Sequence, residues 1–333
     1  MNKQKGHSPQ HIQTTADVKP RRSRRSIPFA AALIVAGASS LFAGFQTARS
    51  TGAWSKWEGT NTRHGGLPTA SLARTPAPEE SGIEQISHLA PQQQAERLLE
   101  RAIHRDGTSL NLIRQNVDAW RGRLQSTDRL FDLVLAALNS EDLAVRTAAV
   151  EVDLAANNLS KSPQTAARLI QQIKDHPGER SLALWRLGAL GNRGVEPQKV
   201  LATLLTYSHH VNENTRYWAV EGLAMLGSES TLDPLLDILA HDRAPRVRER
   251  AACSLAKSGM LTREERFAAV PQLLNYADDD SLDSSTRELV YGALRTITGV
   301  PLGNDANAWR EWWAHHDADE PQRRHYRTDI LRA

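Results

Sequence analysis

The sequence predicts an all-α protein: an α-solenoid of about five to six helical hairpins, preceded by one transmembrane helix and a disordered linker. Three observations carry that expectation. An arginine-led apolar segment recurs five times from Arg146 onward. From Gln92 on, apolar residues fall three and four apart, the spacing of one helix face. Far upstream, an uncharged run of 19 residues, Ile27 to Phe45, follows a cluster of arginines.

In chain order, residues 1–26 read as a basic cytoplasmic tail. Residues 1–25 hold seven Lys or Arg against Asp17, a net +6 in a chain of net +3, which leaves the remainder at −3. The basic excess is therefore local, and the body lacks the positive face that phosphate binding calls for. Residues 27–46 reach the length of a membrane-crossing helix, about 20 residues. Flanking arginines place the N-terminus in the cytoplasm and the body outside. A cleaved signal peptide is the competing reading, with secretion as its consequence, but no A-x-A site follows the apolar run. Residues 47–90 are rich in Gly, Ser, Thr and Pro and hold no apolar period, so they read as a flexible linker.

Helical spacing begins at "QQQAERLLERAI", and residues 91–128 read as an N-terminal helical cap. Residues 129–300 then repeat. The second helices of the units are led by Arg146, Arg180, Arg216, Arg248 and Arg287, at intervals of 34, 36, 32 and 39 residues. Ahead of each lies a first amphipathic helix, from "RLFDLVLAALNSED" to "FAAVPQLLNYADDD". Gly191, Gly227 and Gly259 suit the left-handed position that ends a helix. One hairpin cannot bury both its faces, so stacked hairpins must share a core. Residues 301–320, with Trp309, Trp312 and Trp313 on one helical face, read as a C-terminal lid, and 321–333 as a tail.

The turn acids and helix-start arginines, Asp142 with Arg146, Asp242 with Arg248 and Asp283 with Arg287, resemble those of HEAT repeats, including the phycobilin-lyase-like variety of bacteria. Thr298, Gly299, Asp305 and the three C-terminal tryptophans are similar to the ending of bacterial HEAT-repeat proteins. The resemblance implies an armadillo-like solenoid. It also holds open a chromophore lyase or isomerase activity, or, more remotely, a nucleic-acid-binding solenoid.

The residues themselves point away from chemistry. The arginine row reads as a structural ladder bonded to turn carboxylates or carbonyls, since a planar guanidinium suits partly buried pairing. Tyr217, Trp218 and Trp185 are large aromatics on successive second helices; they form a candidate interaction surface or, more simply, packing between repeats. No catalytic residue, cofactor-binding residue or metal ligand set is expected. His209-His210 and His315-His316 are neighbours about 100° apart on a helix, which suits a shared metal poorly. No nucleophile elbow, phosphate loop or zinc motif occurs. Cys253 is the single cysteine, which excludes an internal disulfide. The expectation is a non-catalytic scaffold at a bacterial inner membrane, its repeats in the periplasm, binding protein partners on its concave side. No nucleic acid, metal or cofactor is expected.

Overall fold

The structure is a computed structural model that describes residues 86–316. The anchor expected at 27–46, the basic tail and nearly all of the linker lie outside the described residues, as does everything from 317 on. The described residues fall in one unit, Arg74–Ala333. They are helical throughout, with no strand among them.

The first hairpin is α1 (Pro91–Ile103) and α2 (Gly107–Trp120). Five more follow: α3 (Asp128–Leu138) with α4 (Leu143–Ala156), α5 (Pro163–Asp175) with α6 (Arg180–Asn192), and α7 (Pro197–Ser208) with α8 (Glu213–Leu226). Then come α9 (Leu232–His241) with α10 (Pro245–Ala256), and α11 (Arg263–Ala268) with α12 (Val270–Ala277) and α13 (Ser284–Thr298). A last helix, α14, occupies residues 306–316.

Local chemistry starts most of the helices. Pro91, Pro163, Pro197 and Pro245 sit in first turns, where a missing N–H costs nothing. The side chains of Asp106, Thr127, Asp142, Ser162, Asn212 and Asp283 accept from amides of the turns they cap. Thr262 and Glu265 close a capping box on α11. Gly227 (φ 49°) and Gly299 (φ 74°) end α8 and α13 in the left-handed conformation.

Two features depart from the sequence reading. Gly191 does not end a helix: α6 runs to Asn192, and Gly194 (φ 84°) makes the left-handed turn instead. Gly191 is glycine because there is no room: a Cβ there would lie 2.8 Å from Leu226 and 2.9 Å from Val200. The stretch "FAAVPQLLNYADDD" is also not one helix. It breaks at Ala269, two residues before Pro271, whose ring cannot continue the preceding turn.

Within each repeat the two helices pack on one another, and α6, α8, α10 and α13 pack in succession. The α6–α8 contact is the most extensive. Glycine makes it possible, since a Cβ on Gly188 would fall 2.1 Å from the Gly222 carbonyl oxygen. One apolar core runs from Leu154 and Leu159 through Leu187, Leu223, Leu239 and Leu255 to Trp309. A second joins Leu98, Ile113, Trp120 and Leu130 to Val145 and Val152 of α4.

Candidate interaction surface

The ladder arginines start the second helices and turn back into the hairpin turns. Arg216 holds Asp242 with two bonds, Nε to Oδ2 at 2.7 Å and Nη2 to Oδ1 at 3.0 Å. Its Nη1 donates to the carbonyls of His210 and Val211 in its own turn. The two side chains are only 5% and 7% exposed, and the Asp242 bond holds the Arg216 guanidinium above its ordinary pKa. Arg248 donates to the Asp242 carbonyl at 2.9 Å and to Asp283 at 3.0 Å. Each carboxylate is thus shared with the arginine of the preceding repeat: Arg216 reaches Asp242, and Arg248 reaches Asp283. Arg180 donates to the Ile173 carbonyl and lies over the Tyr207 ring. Arg287 meets Asp280, a fully exposed side chain. Arg146 stands apart: its Nη1 donates to the carbonyl of Lys257, three repeats on. Asp142, four residues before it, caps the amide of Ala144.

The three aromatics divide. Tyr217 is buried, 4% exposed, with Arg246 stacked on its ring at 4.3 Å. Burial, with Glu221 nearby, pushes its hydroxyl up to about 12. It therefore offers no ring to a partner. Trp218 meets it edge-on at 6.0 Å and is half-buried, as is Trp185. Both pack against the main core with one side, so any aromatic surface reduces to the outer parts of these two rings.

Three charged pairs were not legible as such. Arg250 closes on Glu221, with Nε and Nη2 each 2.8 Å from a carboxylate oxygen. Arg186 faces Asp153 at 3.8 Å, and Arg193 faces Glu151 at 3.7 Å. Burial raises the Asp153 carboxyl despite Arg186 beside it. The available signal was a charge set inside an otherwise apolar helix, as in "ALWRLGAL" and "VEVDLAA". Glu151 and Arg193 also line a depression of about 460 Å³ between α2 and α4, floored by Leu110, Ile113 and Ala148.

At the far end, Trp309 is fully buried and donates to the Gly303 carbonyl at 2.8 Å. Trp312 stacks on His316 at 5.0 Å. Asp305 caps this helix through the amides of Asn307 and Ala308. The acids of the turn after α12 are engaged: Asp278 with Arg310, Asp280 with Arg287, and Asp283 as the cap of α13. Among the described residues no group of three or more His, Cys, Asp or Glu is placed to share a metal ion. No helix among them is long and apolar enough to cross a membrane.

Stacked antiparallel hairpins with a shared core define a helical-repeat protein. A family model described as HEAT repeats matches residues 166–256, from α5 to the end of α10. Match and architecture together support a HEAT-repeat protein. No curated protein matches the chain.

Proposed function

We propose that the chain is a non-catalytic scaffold that binds protein partners along its second-helix face. In this reading residues 27–46 fasten it to a bacterial inner membrane, with the repeats in the periplasm. The observation that carries the reading is the array of stacked hairpins with its HEAT-repeat match. Such arrays present long continuous faces that bind by many small contacts. The state of the ladder supports it as well. Arg216, Arg248 and Arg250 are closed on carboxylates, which leaves a mixed surface rather than a basic groove for nucleic acid.

A photo-crosslinking amino acid at Trp218 or Trp185 of the full chain, compared with one at exposed Arg168 on α5, tests the partner face. Discrete protein adducts confined to the tryptophan positions are expected. Equal labelling at all three positions would defeat the assignment. A reporter fused after Ala333 tests the address, and activity is expected only from the periplasmic form.

A further inference from the structure

Arg216 and Arg248 share a grip that Arg146 leaves half made. In both of the former, Nη1 takes a turn carbonyl and the other side of the guanidinium takes the next repeat's aspartate. Arg146 also gives Nη1 to a carbonyl, that of Lys257 at 3.0 Å. Its Nε is buried without a hydrogen-bond partner, as is that of Arg248, but Arg248 has the Asp283 carboxylate on its Nη2 and Arg146 has no such partner. Among the described residues it forms no ion pair; the Asp142 charge acts on it only from beyond bonding distance and does not offset its burial. The sequence explains the gap. The turn of the next repeat reads His176-Pro177-Gly178-Glu179, and the aspartate just ahead of it, Asp175, is exposed and accepts from Gln171 instead.

A second cation shares the place. Arg266 donates to the carbonyls of Ser254 and Leu255, both at 2.8 Å, and of Ser258 at 2.9 Å. It too forms no ion pair among the described residues, and the Glu265 charge favours it less than burial and the Arg146 charge oppose it. Arg146 and Arg266, 5% and 6% exposed, thus converge on the C-terminal end of α10. Burial, and then the Arg146 charge, hold the Arg266 guanidinium down to about 10. The end of a helix supplies roughly half a negative charge, which is too little for two buried guanidinium groups. Buried charges are ordinarily paired.

We propose that the free edge of Arg146, in the field of Arg266, is a binding site for an oxyanion, a carboxylate or phosphate group that replaces the aspartate missing from the ladder. A planar fork with one edge open suits bidentate capture of either group. The site does not depend on the scaffold reading.

Thermal melts of the full-length protein at constant ionic strength test it. Inorganic phosphate probes capture of the free ion, and N-acetyl-aspartate amide probes capture of a peptide carboxylate. At least one should stabilise the parent saturably, with affinity about tenfold or more weaker in Arg146→Gln. Arg168→Gln, at an exposed arginine of α5, should respond like the parent. If Arg146→Gln does not fold, Arg146→Lys replaces it; this keeps the charge, removes the fork, and should weaken the same probe. A parent that responds saturably to neither probe overturns the proposal. So does a response that Arg146→Gln or Arg146→Lys leaves intact.

Discussion

Arg216 and Arg287 hold the same position in their repeats but face different surroundings. Asp242, buried beside Arg216, would be left as an uncompensated charge if the guanidinium were removed. Arg216→Ala should therefore cost about 3–5 kcal/mol. Arg287 meets a fully exposed Asp280, and Arg287→Ala should cost only about 0–1 kcal/mol. Urea denaturation of both variants checks the ranking, and equal losses would contradict the burial argument. The aromatic neighbours give a parallel comparison. Tyr217 is buried while Trp218 keeps one side open, so Tyr217→Ala should cost about 3–5 kcal/mol and Trp218→Ala less, although tryptophan is larger. In the linear sequence the bulkier ring looks like the packing anchor. Which of two adjacent helical residues faces inward depends on where the next repeat sits, and that information is not local.

Helix by helix, the legible part of the fold was the part written in short-range chemistry. Caps such as Asn212 and Asp283, first-turn prolines and the spacing of apolar residues mark the hairpins directly, so the repeat could be read from α3 to α13. Partner identity could not. Asp242 stands six residues before Arg248 in the chain, yet its carboxylate closes on Arg216 of the repeat before. Gly191 resembles a helix stop but serves close packing. The glycines also make a testable contrast. Gly188→Ala sets a Cβ against the Gly222 carbonyl and should cost about 1–3 kcal/mol. Gly292, inside α13 with nothing within 4 Å of a new Cβ, should instead gain about 0.4–1 kcal/mol as alanine. Thermal melts that move both variants the same way would refute the close-approach reading. The cap of α13 adds a pH dependence. The Ser285 hydroxyl, then the Thr286 amide, with Arg248 adding, hold Asp283 down to about 2, against about 3.9 when unfolded. The folded chain thus resists that proton. The stabilisation is full above about pH 4 and disappears as pH falls toward about 2. Denaturant titrations at pH 5, 4, 3 and 2 should show a shallower acid loss in Asp283→Asn than in the parent. Parallel curves would mean the cap contributes nothing to acid stability.

Across the described residues, the two apolar cores meet at α4. Val145, Ala149 and Val152 belong to the smaller one with α1, α2 and α3, while Val150 and Leu154 belong to the larger one that runs to Trp309. Much of what crosses from α4 to α6 is polar: Arg186 with Asp153 and Asn157, and Arg193 with Glu151. Long charged side chains at a junction give less cohesion than the glycine-to-glycine contact of α6 and α8. In a stacked array, stability is the sum of each repeat and its neighbouring interfaces, so the weakest interface decides where cooperativity divides. The smaller core should then open first, as one block. Native-state hydrogen exchange is the measurement. Amides of α1 to α3 should exchange together at a lower opening free energy than those of α6, α8 and α10. Replacing Arg186 with alanine should widen the gap, because Asp153 would lose the cation that faces its buried charge. A single opening free energy from α1 to α13, unchanged by Arg186→Ala, would mean that the Arg146 contact to Lys257 and the shared helix α4 bind the two cores into one cooperative unit.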